Sequence, residues 1–289
     1  MIDAQDTAFM ARAVQLAWRG RYSTHPNPRV GCVIARGSKI LGEGWHERAG
    51  EAHAEARALS LAGPDARGAT AYVTLEPCAH HGKTPPCTDA LIAAGVARVV
   101  APIADSDPRV AGQGFEKLRQ NGVEVRTGVL AQEAMQDHAG FFLRVEQGRP
   151  WLTLKLAMSV DGRIATATGE SQWITGPEAR HAVHALRASH DAVLVGGGTA
   201  RADNPRLTVR GFDRSRPPVR IVASRHLDLP LLSDLARTAK DVPVWLCHGA
   251  DARGDLLTAW QGIGARLLTV PLAGGRLDAA ALLKTLGQE

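Results

Sequence analysis

Two short runs hold the side chains best suited to metal chemistry: His53-Ala54-Glu55, and Glu76-Pro77-Cys78 through Pro85-Pro86-Cys87. One imidazole and two thiols form a donor set for zinc. Three protein ligands leave a fourth position for water, which is the layout of a catalytic site; a structural site closes with four. Cys87 precedes an expected helix, whose positive end favours thiolate over thiol, and Pro85 and Pro86 pre-set the chain direction into it. Glu55, two residues after the histidine, is spaced to approach the water without ligating the metal, take its proton and hand it to a leaving amine. Each ligand alone reads as an ordinary core residue. Their joint occurrence at two turns, in a chain with four cysteines, favours zinc. Cys32 and Cys247 sit in apolar extended runs and are expected to pack.

The elements around these runs alternate between helical and extended patterns. Apolar residues at Phe9, Met10, Ala13, Val14 and Ala17 predict a helix over Asp6–Arg19 with Asp6 as its cap. Val30–Ala35 and Ile40–Trp45 read as a hairpin. Ala52–Leu61 and Cys87–Ala94 read as helices, with strands at Ala71–Leu75 and Arg98–Ala101. A helix at Phe115–Gln120, a strand at Val123–Arg126 and a helix over 131–145 follow. Gln147-Gly148-Arg149-Pro150 is the predicted boundary, giving domains at 1–147 and 148–289. Trp151–Met158, Ala192–Val195, Val219–Ala223 and Val242–Cys247 are predicted strands, and Pro177–Ala188 and Leu277–Leu286 helices. Strands separated by helices predict an α/β layered sheet in each half, with mostly parallel crossovers.

The pattern H-x-E followed by P-C and a second cysteine is that of zinc nucleobase deaminases. One departure stands out, because eight residues separate Cys78 from Cys87 where P-C-x-x-C is common. The longer spacing, with His80 and Lys83 inside it, resembles the deaminase half of the RibD family of bifunctional riboflavin-biosynthesis proteins. So do Thr24-His25-Pro26-Asn27-Pro28-Arg29-Val30-Gly31, Gly50-Glu51-Ala52-His53-Ala54-Glu55 and Val73-Thr74-Leu75-Glu76-Pro77-Cys78. The resemblance runs from about Phe9 to the end of the chain. It implies a cytidine-deaminase-like first domain that deaminates a phosphoribosylaminated diaminopyrimidinone to the aminouracil. It also implies a dihydrofolate-reductase-like second domain that reduces ribosyl to ribityl with NADPH. His53, Cys78 and Cys87 match the ligands of one zinc per chain and Glu55 the proton shuttle. Asn27, His46, His80 and Lys83 match substrate contacts.

In the second half, Leu154–Ala165 reads as a strand ending in a polar turn, and Val193-Leu194-Val195-Gly196-Gly197-Gly198-Thr199 as a strand feeding a glycine turn that could approach a phosphate. The run lacks the dinucleotide fingerprint and its helix context. By the resemblance, Ala157, Trp173, Thr199, Asp203 and Ser224 match NADP contacts. Ser171, Arg187, Leu207 and Arg210 match positions that hold the phosphoribosyl group, and Lys155 (a catalytic candidate) and Asp161 sit beside the reacting sugar. Family members continue past Gln288-Glu289 with further strands and a glycine-rich segment, so the second domain is expected to be incomplete here.

Composition excludes several classes. Among 289 residues, 45% are hydrophobic and 22% charged, which is globular rather than disordered. No apolar run approaches the ~18 residues of a membrane span, and the acidic start does not read as a secretory signal. A cytoplasmic protein with reduced thiols, acting on a small molecule, is the expectation; the family resemblance implies a homo-oligomer. Residues 1–146 carry 16 of the 34 basic and 16 of the 29 acidic side chains, so the net charge of +5 falls on 147–289. With only 4% aromatic residues and no basic run, the surplus does not read as a nucleic-acid surface. Two alternatives remain at this level. One is an RNA or nucleoside deaminase. The other is a structural zinc protein, which would need a fourth ligand such as His80 or His81.

Overall fold

The structure, a computed structural model, describes residues 3–82, 84–212 and 216–289. The chain divides into two units, Met1–Trp151 and Leu152–Glu289.

The first unit is built on helix α1 (Ala4–Ala17), strands β1 (Gly31–Arg36) and β2 (Lys39–Trp45), helix α2 (Ala54–Ala62) and strand β3 (Thr70–Val73). Helix α3 (Cys87–Ala93), strand β4 (Arg98–Ala101), helix α4 (Gln113–Gln120), strand β5 (Glu124–Thr127) and helix α5 (Ala131–Gln147) follow. The sheet order is β2-β1-β3-β4-β5. β1 pairs antiparallel with β2 and β3, whereas β3, β4 and β5 are parallel. The strands of the hairpin thus lie at one edge and the crossover helices connect the rest.

Strand β1 is buried on both faces because its side chains alternate between two helical layers. Cys32 and Ile34 pack with Ala54, Ala58 and Ala62 of α2, while Val33 and Ala35 pack with Phe9, Met10, Ala13 and Leu16 of α1. Helix α2 lies unusually close to β2. A Cβ on Gly44 would stand 2.3 Å from the Ala54 carbonyl oxygen and 2.7 Å from the Ala58 nitrogen. Glycine on the strand and alanines on the helix let the two backbones touch. This contact sets where α2 begins, with His53 at its N-cap and Glu55 in its first turn.

The cap of α1 is Asp3, not Asp6: Asp3 Oδ1 accepts the Asp6 N–H at 2.6 Å. Asp6 is buried and accepts instead from Tyr72 Oη at 3.1 Å and Arg98 at 2.5 Å. Its partners on β3 and β4, remote in sequence, outcompete a local amide.

In the second unit, helix α6 (Pro177–Ser189) precedes strand β6 (Ala192–Gly196), helix α7 (Gly197–Asp203) and strand β7 (Val219–Ala223). Helix α8 (Asp234–Arg237), strand β8 (Val244–His248), helix α9 (Gly254–Ile263) and strand β9 (Arg266–Thr269) come next. A short hairpin, β10 (Leu272–Ala273) and β11 (Arg276–Leu277), leads to helix α10 (Ala279–Gln288). β6-β7-β8-β9 form an all-parallel sheet in that order. Val222, Leu246 and Trp260 lie in the core on one face, Ile221, Cys247 and Leu268 on the other.

Three expectations change here. The predicted strand at Trp151–Met158 does not form: these residues have no regular structure, and Leu154 is 76% exposed. Its alternating pattern suits a strand, but a strand needs a hydrogen-bonding neighbour, and no described segment pairs with it. The glycine run does have a helix context, because α7 opens at Gly197 directly after β6. Helices α8 and α9 and strand β9 were not anticipated. Among the described residues no helix is long and apolar enough to cross a membrane.

Candidate active site

The turn after β2 and the turn after β3 both deliver ligands to the N-terminal ends of helices. His53 occupies the N-cap position of α2, with extended backbone, and Glu55 lies in the first turn. Cys78 follows β3, and Cys87 opens α3 immediately after Pro86 at its N-cap. The hydrogen bond from the Cys87 N–H to Cys78 Sγ (3.3 Å) and that from the Thr88 N–H to the Cys78 carbonyl (3.2 Å) tie the two ends of the intervening loop together.

His53 Nδ1 lies 3.2 Å from Cys87 Sγ and 3.7 Å from Cys78 Sγ. The three donor atoms all fall within 4.8 Å of one another, the group of potential metal ligands found among the described residues. A tetrahedral zinc with bonds of about 2.3 Å to sulfur and about 2.0 Å to nitrogen needs donors roughly 3.5–3.8 Å apart. The set fits zinc. His80 and His81 are not part of it, so the fourth protein ligand that a structural site requires is not supplied by the described residues.

Electrostatics bias the pair of thiols. The hydrogen bond from the Cys87 thiol holds Cys78 well below the ordinary thiol range. Donating to Cys78, together with burial, pushes Cys87 up. Glu55 is 3% exposed, and burial followed by the charge of Cys78 raises its carboxyl above the usual range.

Which ring nitrogen of His53 faces the sulfurs is set by the other one. Nε2 lies 3.4 Å from Thr84 Oγ1, a hydroxyl able to accept the Nε2–H and leave Nδ1 as the metal donor. Thr84→Val is expected to weaken zinc retention by ~10-fold, measured by competition with a chelator, while Thr84→Ser retains it. Thr84 stands inside the quoted run, yet nothing in its spacing assigns it this task.

Two of the expected substrate contacts join the site. Asn27 Nδ2 donates to His46 Nε2 at 3.0 Å, and His46 Nδ1–H faces the Ala52 carbonyl at 3.3 Å. The His46 ring meets His53 edge-on at 5.2 Å, and burial holds its pKa below the usual value. This chain of contacts fixes Asn27 with its Oδ1 as the available acceptor. His80 is half-buried, with Asp105 and Asp107 near enough to interact with it electrostatically. Burial raises Asp105 to about 6, whereas the hydrogen bond from Arg109 lowers Asp107 to about 2. Sequence reasoning missed these two acids. Their place just beyond the C-terminal end of a parallel strand is the signal that could have found them. Lys83 lies outside the described residues.

Two family models match the chain: one described as the cytidine and deoxycytidylate deaminase zinc-binding region over residues 3–103, the other as the RibD C-terminal domain over 150–289. The riboflavin biosynthesis protein RibD of Escherichia coli is 46% identical over 295 residues, covering 99% of this chain and 79% of that protein. RibD of Aquifex aeolicus is 48% identical, covering 82% of this chain and 67% of that one. The chain belongs to the RibD family. A solved structure of Acinetobacter baumannii RibD superposes with a TM-score of 0.85 at 40% identity, over 98% of this chain and 77% of that one. Within the RibD family the first unit is a zinc-binding, cytidine-deaminase-like domain and the second the reductase domain. The chain is an enzyme of riboflavin biosynthesis, and the RNA-deaminase and structural-zinc readings are not favoured.

The residues expected in the RibD reductase half fall into separate groups. Arg187 donates to the Thr208 carbonyl at 3.2 Å, and the Arg210 N–H donates to His184 Nδ1 at 3.2 Å. Arg187 and Arg210 are close enough that the second cation lowers the pKa of the first, after burial. Leu207 is buried beside them in sequence, with φ of 53°. This is a cationic corner suited to a phosphate. Thr199 lies in the first turn of α7 and Asp203 at its end. Ser224 Oγ, which donates to Asp228 at 3.0 Å, would stand 2.9 Å from a Cβ on Gly197. Gly196 and Gly198 have open space beside their backbones, which fits close approach of a nucleotide phosphate. Lys155, Ala157, Asp161, Ser171 and Trp173 lie instead in the irregular stretch before α6. Asp161, Ser171 and Trp173 line an open hollow of about 840 Å³ there, and Trp173 stacks under Arg180 at 4.4 Å. Among the described residues no hydrogen bond or ion pair links Lys155, Asp161 or Ser171 to Thr199, Asp203 or Ser224.

Proposed function

We propose that the first unit deaminates 2,5-diamino-6-(5-phosphoribosylamino)pyrimidin-4(3H)-one to 5-amino-6-(5-phosphoribosylamino)uracil, with His53, Cys78 and Cys87 holding zinc and Glu55 moving the proton. The second unit is the half that reduces the ribosyl group to ribityl with NADPH. The observation that carries the first reading is the convergence of one imidazole and two thiols on a point beside a buried carboxylate.

Zinc held there supplies Lewis acidity that makes water a nucleophile near neutral pH. The chain's own residues do the rest. The Glu55 carboxylate accepts a proton and returns it to the departing amine, which leaves as ammonia. Asn27 Oδ1 accepts from a pyrimidine N–H, held in place by its bond to His46. His80 and Lys83 suit the anionic phosphoribosyl group. In the second unit Arg187 and Arg210 bind the same phosphate, with Ser171 and Leu207 completing that site. Ala157, Trp173, Thr199, Asp203 and Ser224 contact the dinucleotide, and Lys155 stands beside the sugar. The hydride belongs to the cofactor, and the protein orients the two partners. A cytoplasmic location and a homo-oligomer belong to the same reading and rest on the family resemblance.

One assay tests both halves: release of ammonia and oxidation of NADPH on the phosphoribosylated pyrimidine, with zinc counted by metal analysis. Ammonia release with one zinc per chain is expected. A zinc-loaded chain that releases no ammonia would sink the deaminase reading.

A further inference from the structure

The deaminase reading leaves the buried carboxylate of Glu76 unused. Glu76 is 4% exposed and, among the described residues, has no ion-pair partner. Its two oxygens accept four backbone N–H groups instead. Oε2 takes Asp105 at 3.0 Å and Gly112 at 2.9 Å, while Oε1 takes Gly114 at 2.8 Å and Phe115 at 3.2 Å. These donors belong to the loop that leaves β4 and to the first turn of α4, whose opening amides have no partner within the helix. The loop and α4 also press against the chain just before the ligand Cys78: a Cβ on Gly114 would stand 2.0 Å from the Pro77 carbonyl oxygen.

The C-terminal ends of β3 and β4, parallel neighbours, are where an α/β sheet places its ligands. One end leads into the zinc loop with His80. The other leads into the loop carrying Asp105 and Asp107. The Glu76 carboxylate joins the two.

We propose that Glu76 is a positioning residue: by accepting the amides of Asp105, Gly112, Gly114 and Phe115 it latches the 102–112 loop onto the chain beside Cys78 and so holds that side of the deaminase site in place. The latch acts on substrate binding and not on the metal, because its four bonds go to the loop and helix and none to a ligand. An amide at this position keeps the shape and one acceptor oxygen, but turns an NH2 group toward two of the four N–H donors. Those two amides lose their acceptor, and the loop is released.

This role rests on the deaminase reading, so turnover by the unaltered chain is the control for that reading. Glu76→Gln is expected to raise KM for the phosphoribosylated pyrimidine by ~10-fold with kcat and zinc content unchanged. A KM that does not move, whatever happens to the melting temperature, overturns the proposal, as does a loss of zinc or kcat at constant KM. Should the variant not fold, hydrogen exchange in the unaltered chain decides. The Asp105 and Gly112 amides, outside any helix or strand, are expected to be protected, and free exchange at both refutes the latch without any substrate.

Discussion

Replacing Glu55 with Gln is expected to lower the rate of ammonia release by ~10²–10⁴-fold while one zinc per chain stays bound. The separation follows from the geometry. The candidate metal donors are His53 Nδ1 and the sulfurs of Cys78 and Cys87, and Glu55 is not among them. Glutamine keeps the size of the side chain and its place in the first turn of α2, but its amide cannot take up a proton near neutral pH. The fold should not suffer, because burying a neutral amide costs less than burying a carboxylate at a site that is 3% exposed. Unchanged or higher melting temperature, full zinc and lost turnover together identify the shuttle. Substantial residual turnover would remove Glu55 from that role.

The second large effect is structural in origin. Gly44→Ala is expected to destabilise the first unit by ~3 kcal/mol or more, lowering its melting temperature by about 10 °C. The added carbon would stand 2.3 Å from the Ala54 carbonyl oxygen, 2.7 Å from the Ala58 nitrogen and 2.9 Å from Arg57 Cβ. Two of those atoms are backbone, so no rotamer change relieves the clash. Helix α2 must move away from β2. Because His53 caps that helix and Glu55 is in its first turn, the displacement reaches the site directly, and zinc affinity should fall with stability. Thermal unfolding followed with and without added zinc would check both parts. A variant as stable as the parent, with full zinc, would contradict the close packing.

Much of the deaminase site is legible in the chain itself. His53 and Glu55 are two residues apart, Cys78 and Cys87 bracket one loop, and both runs sit at turns into helices whose patterns are plain. Donor chemistry and helical periodicity are local properties. Thr84 and Glu76 are different. Thr84 matters through a histidine 31 residues away, and Glu76 through amides 29 to 39 residues away. No spacing in the sequence announces those contacts.

The second unit shows the same division from the other side. The alternation over Trp151–Met158 suits a strand, yet the segment is irregular and exposed because strand formation is completed by a neighbour's hydrogen bonds. What the amino-acid order carried alone is the pairing of one imidazole with two thiols as candidate zinc donors, the RibD family and the α/β character of both halves. What only the tertiary structure decided is the antiparallel pairing of β1 with β3, the His53 nitrogen that faces the sulfurs, the acids beyond β4 and the fate of residues 151–158. Ligand type and periodicity are carried by neighbours in the chain, while hydrogen-bond partners are chosen across the fold.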